Sequence, residues 1–117
     1  MNKDIRTISF GVSSLEEVES RVKAAFEGKP QGRRHSFVSL ELMWKVLTPK
    51  RWDIIRTMTG AGPLSIREIA RRIGRDVKAV HGDVTALVKA GVINKTEEGQ
   101  VEFPYDRVHV DFEIKAA

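Results

Sequence analysis

The 117-residue sequence has no cysteine. That excludes disulfides, thiolate catalysis and cysteine-ligated zinc or iron–sulfur centres, and it fits a reducing compartment. No apolar run approaches the roughly 20 residues that a membrane-spanning helix needs. The opening residues, Met1-Asn2-Lys3-Asp4, carry no apolar signal-peptide core. A cytoplasmic protein with no membrane partner is therefore expected. Histidine is confined to His35, His81 and His109, and none of the HExxH, GxSxG or P-loop patterns occurs. The chemistry of those motifs needs residue types at spacings this chain does not offer. His109 and Asp111 share one face of a strand pattern, but two ligands do not make a metal site. No enzyme activity, metal or cofactor is expected.

What the chain does have is ordinary for a globular domain: 41% hydrophobic and 31% charged residues. The length suits one domain, with a small appendage at most. The net charge of +4 is unevenly spread. Residues 28–81 hold twelve Lys/Arg against four Asp/Glu, whereas residues 97–113 hold six acids and one Arg. A basic middle fits a polyanion partner, and it also fits an unevenly charged solvated surface.

Local patterns order the chain. Thr7 to Val12 alternates as a strand, with Ile8, Phe10 and Val12 on one face. Ser14 and Glu17 have capping-box spacing and open a helix whose Leu15, Val18, Val22, Ala25 and Phe26 share a face. Gly28-Lys29-Pro30-Gln31-Gly32 reads as a loop. Ser36 to Leu40 reads as a strand, while Leu40, Met43, Trp44 and Leu47 are also spaced as a helix. Thr48-Pro49 starts a helix running to about Thr59, with Trp52, Ile55 and Met58 expected inside. Ser65 and Glu68 cap the next helix, Ile66 to Ile73, which Gly74 stops. Asp76 caps a third, Val77 to about Ala90, expected to bury Val77, Val80, Val84, Leu87 and Val88. Val92–Asn94 and Val101–Phe103 flank a Glu97-Glu98-Gly99-Gln100 turn. Arg107 to Lys115 alternates strictly, with Val108, Val110, Phe112 and Ile114 on one face.

Helix, helix, three-residue turn, helix and hairpin is the order of a winged helix-turn-helix. The predicted class is α+β: a winged helix-turn-helix core, residues 34–117, with an N-terminal strand-helix extension, residues 1–33, and a C-terminal β-hairpin and strand. The tight Gly74-Arg75-Asp76 turn sets two short helices at a steep angle, so that the second can enter a major groove. At 100° per residue the outer face of that helix carries Lys78, Ala79, Gly82, Thr85, Ala86 and Lys89. Glycine inside a helix costs roughly 1 kcal/mol relative to alanine. Gly82 is then either tolerated or retained for close approach to DNA. His81 borders the buried face and suits packing or a phosphate contact. Arg67, Arg71, Arg72 and Arg75 supply cations from the preceding helix and turn, and Ser65 offers first-turn amides to a phosphate. Lys50 and Arg51 stand in the first turn of the earlier helix, where its dipole disfavours cations. In the hairpin only Lys95 is helpful, because Glu97 and Glu98 would repel a phosphate backbone.

These segments resemble the MarR/ArsR-type winged-helix regulators. More narrowly, residues 34–114 resemble a family of small predicted DNA-binding proteins of archaea and bacteria. The resemblance rests on Leu47-Thr48-Pro49-Lys50-Arg51-Trp52, Ser65-Ile66-Arg67-Glu68-Ile69-Ala70, Gly74-Arg75-Asp76-Val77-Lys78-Ala79-Val80-His81 and Leu87-Val88-Lys89-Ala90-Gly91-Val92-Ile93. It implies sequence-specific binding of double-stranded DNA and transcriptional control, as a repressor and usually as a homodimer. Some members resemble antitoxins, which would make a cognate toxin a second partner. A protein-binding winged helix that uses the acidic C-terminal region is the alternative. The apolar faces at both chain ends predict a dimer interface of Ile8, Phe10, Val22, Phe26, Val110 and Phe112.

Overall fold

The computed structural model describes residues 5–29 and 32–116. The signal-peptide reading of Met1–Asp4 and the centre of the loop, Pro30-Gln31, lie outside the described residues. In chain order the elements are β1 (Thr7–Val12), α1 (Leu15–Phe26), β2 (Arg33–Phe37), α2 (Leu40–Val46), α3 (Pro49–Met58), α4 (Ile66–Ile73), α5 (Val77–Lys89), β3 (Asn94–Lys95), β4 (Val101–Glu102) and β5 (Arg107–Asp111). The fold is mixed α/β.

The helices start where side chains satisfy their free amides. Ser14, Thr48, Ser65 and Asp76 each accept a hydrogen bond from the amide three residues on, at 3.1, 3.3, 3.0 and 3.2 Å. Ser39 does the same for Leu42 at 3.1 Å and starts α2. This cap settles the ambiguous stretch around residues 36–47. The strand lies earlier than expected, at Arg33–Phe37, and Leu40 is helical. Gly74 closes α4 in the left-handed region, with φ of 68°, as the turn requires.

Three strands form a parallel sheet in the order β2-β1-β5. The expected boundary between residues 33 and 34 falls at the start of β2, and the sheet spans it. β3 and β4 form a separate antiparallel hairpin. Leu64 joins that hairpin by exchanging two 2.9 Å backbone hydrogen bonds with Val101, just before α4 begins.

Among the described residues one core joins the three-stranded sheet, α2 to α5 and the hairpin. It gathers Ile8 and Phe10 from β1, Met43 from α2, Ile54, Ile55 and Met58 from α3, Ile69 from α4, Val80, Val84 and Leu87 from α5, and Phe103 after β4. The rings of Phe10 and Phe103 lie 6.2 Å apart. Ile8 and Phe10 are therefore closed inside the monomer and are not the partner-facing residues that the strand pattern suggested. Trp52 is only half-buried, and Ile54, beside it on α3, is fully buried instead.

α1 contributes no buried residue, and Leu15, Val22 and Phe26 are exposed. The sheet surface beside it, where Val18, Val22 and Ala25 line a cleft with Arg34 and Ser36, accounts for this. Thr7, Ser9 and Gly11 alternate with the inward Ile8 and Phe10, and Arg34 and Ser36 are their neighbours on β2. That outer face is polar. Arg34 lies across it and donates to both carboxylate oxygens of Asp111, at 3.0 and 3.1 Å. It also donates to Ser36 Oγ at 3.1 Å. Arg21 from α1 donates to Ser13 Oγ at 3.2 Å. A polar sheet face held by such a network offers little for an apolar helix stripe to bury against.

Candidate nucleic-acid interface

α4, the turn and α5 carry the candidate site. Within α5 the inward residues are Val80, Val84 and Leu87. Opposite them, Lys78, Gly82, Thr85 and Lys89 follow at four-, three- and four-residue steps, which aligns them along one side of the helix. Lys78, Ala79, Gly82 and Lys89 are exposed, and Thr85 is half-buried. His81 is exposed rather than bordering the core. Val77, expected inside, is 43% exposed and lines a shallow cleft with Ser65, Arg67, Arg71 and Gly74. A Cβ built on Gly82 meets nothing within 4 Å, so that face is open.

The acidic residue of α5 is turned away from this line and neutralised. Asp83 accepts from Arg75 Nη2 at 2.9 Å and from Arg51 Nε at 3.1 Å. Arg51 also donates to the carbonyl of Val46 at 3.0 Å, at the end of α2. One carboxylate thus ties the α4–α5 turn and the start of α3 to the middle of α5. Partial burial pushes the Asp83 carboxyl up, but the Arg75 and Arg51 guanidiniums outweigh it and hold it below the usual carboxylate range. Both arginines were expected to face DNA. Their side chains are instead largely buried, at 22% and 20% exposure, because they are engaged by Asp83. Arg75 and Arg51 position α5. The sequence marked both arginines but not Asp83, whose partners lie 8 and 32 residues away.

On α4 the charges are laid out differently. Arg71 clamps Glu68 with two hydrogen bonds of 2.6 and 2.9 Å, and Arg72 adds a third at 2.7 Å. Donation by Arg71, then by Arg72, pulls the Glu68 carboxyl down to about 2. The two guanidiniums stay exposed, and surface pairs of this kind are worth little, so an incoming phosphate can compete for them. Ser65 Oγ accepts the cap hydrogen bond from Glu68 N at 3.0 Å, so its hydroxyl proton remains to donate beside the first-turn amides. Arg67, Lys50, Lys78 and Lys89 are exposed and make no side-chain ion pair among the described residues. Lys95 is exposed opposite Val101, in the pair next to the hairpin turn, and Glu97 and Glu98 occupy its exposed tip.

A family model, HVO_A0114, matches residues 46–110, more than half of the chain. The chain belongs to the HVO_A0114 family. The match runs from the end of α2 to β5, so the HVO_A0114 region contains α3, α4, α5 and the hairpin, and hence every residue of the candidate site. A search of curated proteins gives no match. No helix among the described residues is long and apolar enough to cross a membrane.

Proposed function

We propose that this HVO_A0114 protein is a winged helix-turn-helix module that binds double-stranded DNA and regulates transcription, with α5 as the groove-reading helix. The observation that carries the proposal is the open, acid-free line of Lys78, Gly82, Thr85 and Lys89 on α5, whose acid, Asp83, is withdrawn into a clamp with Arg51 and Arg75. A helix entering a major groove needs cations or small polar groups on its leading face and no negative charge there. The Leu64–Val101 bridge supports the winged reading, because it joins the segment before α4 to the hairpin as a third short strand. In this reading Arg67, Arg71, Arg72 and Lys50 contact phosphates, while Lys78 and Thr85 reach base edges. The protein is a non-enzymatic regulator, related in mode to the MarR/ArsR type.

Fluorescence anisotropy with labelled random duplex, across a salt series, tests the proposal. Affinity should fall with a log–log slope of about −0.9 for each phosphate neutralised. Arg67→Ala should weaken all duplexes alike and flatten the slope by about one contact. Lys78→Ala should also change preference among sequences. Absence of binding at low salt, or equal affinity in both folded variants, would reject a DNA-binding role for this face.

A further inference from the structure

β5 is an edge strand, and no strand among the described residues pairs with its outer edge. Its strand pattern also outruns its partner. Pairing with β1 ends at Asp111, whereas the alternation of apolar residues continues through Phe112 and Ile114. Val110 and Phe112 lie on the same side of the strand as the inward Val108, yet remain 38% and 40% exposed. Trp44 of α2 stands edge-on to Phe112, 5.9 Å away, and is itself half exposed. An edge with this much apolar side-chain surface invites another strand.

We infer that the missing strand is β5 of a second copy, paired antiparallel about a two-fold axis at Val110. This inference does not depend on DNA binding. It commits to a register because pairing about Val110 sets Val108 against Phe112 and unlike charges against each other without placing any ionisable residue against its own copy. With Val110 opposite its own copy, Val108 faces Phe112 on the apolar side. On the polar side Arg107 faces Glu113 and His109 faces Asp111, each pair occurring twice by symmetry. A shift of two residues one way sets Asp111 against Asp111 and Arg107 against Lys115. A shift of two the other way sets His109 against His109 and Asp106 against Phe112. A shift of one places the apolar side of one strand with the polar side of the other. The result is one sheet of six strands across both copies, with Phe112 and Trp44 flanking the new seam.

The absence of native cysteine makes the test direct, because Val110→Cys introduces the only thiol. Light scattering of the full chain at micromolar concentration should give twice the 13.2 kDa chain mass. Under mild oxidation Val110→Cys should form a disulfide dimer, since directly opposed residues lie within disulfide reach. Val108→Cys and Phe112→Cys should not, because each would lie four residues out of register with its own copy, roughly 13 Å away. Arg107→Glu sets two carboxylates against each other and should weaken the dimer at least tenfold, and adding Glu113→Arg should restore it. A monomeric mass throughout the micromolar range would overturn the inference. So would equal cross-linking at all three positions, or a dimer indifferent to the charge reversal.

Discussion

Arg75 and Asp83 are joined by a 2.9 Å hydrogen-bonded ion pair that braces α5 against the turn preceding it. Each side chain is about one-fifth exposed, so both charges have lost most of their water. Arg75 Nη1 is buried with no hydrogen-bond partner among the described residues, which leaves Asp83 as the group that compensates this guanidinium. Removing one member of such a pair strands the other. Asp83→Asn is therefore expected to destabilise the fold by about 2 kcal/mol, seen as a lower urea midpoint with unchanged slope. The sign of the pH dependence follows from the depressed carboxyl. Its contribution is complete above the unfolded value of about 3.9 and is lost as pH falls through the folded value. The variant should lack that acid-side loss, and an equal decline in both proteins would remove Asp83 as its source.

The parts of this design that sequence reveals are those set by near neighbours. Ser14, Thr48, Ser65 and Asp76 cap their helices because a cap is a three-residue relationship, visible in a linear string. Gly74 is readable for the same reason. The Arg51–Asp83–Arg75 clamp is not, because a mid-helix aspartate has no local pattern that names an arginine 32 residues away. The burial of Ile8 and Phe10 was hidden for a related reason. Their alternation marks an inward face, but only the parallel pairing of β1 with β5, about 100 residues on, shows that the face closes the monomer's own core. On α5 the helical period correctly separates Val80, Val84 and Leu87 from Lys78 and Gly82. It overreaches at Val77, where the stripe runs on into an open cleft.

His35 gives the fold a second dependence on pH. Its ring packs against Phe37 at 4.8 Å and edge-on to Phe10 at 6.0 Å, and burial there lowers its pKa. The unfolded chain takes up a proton near pH 6.5, and the folded chain does so only at lower pH. Stability is complete above about 6.5 and declines as pH falls toward the folded value, because the unfolded state then binds the extra proton. Urea midpoints at pH 7.5, 6.5 and 5.5 should fall in the wild type and stay nearly level in His35→Phe. The same decline in both would place the titrating group elsewhere.

Gly11 is required by a close approach. It lies in β1 between Ser36 of β2 and Asp111 of β5, and Arg34 crosses directly over it. A Cβ at this position would collide with Arg34 Nη2 and would sit 2.7 Å from both the carbonyl oxygen and Oδ1 of Asp111. In an ordinary strand, glycine to alanine is favourable by about 0.5–1 kcal/mol. Here the sign should reverse, with Gly11→Ala costing about 1–3 kcal/mol as the Arg34–Asp111 pair is displaced. A urea midpoint at or above the wild-type value would show that the pair can move aside freely.

Gly82 separates the fold from its proposed function most cleanly. Glycine in a helix interior is a weak helix former, and the position faces open space, so a longer side chain meets no obstacle. Gly82→Glu should therefore leave the fold intact and raise its stability by about 0.5 kcal/mol. The same carboxylate would project from α5 between Lys78 and Thr85, onto the line that carries no acid in the native chain. In a major groove it would meet phosphate on both sides and base edges in front, with a bulk that native glycine avoids. Binding to every duplex should then be lost, while the urea midpoint holds or rises. Undiminished affinity in this well-folded variant would show that α5 does not face DNA through Lys78, Gly82 and Thr85. The basic surface of α4 would then have to act without it.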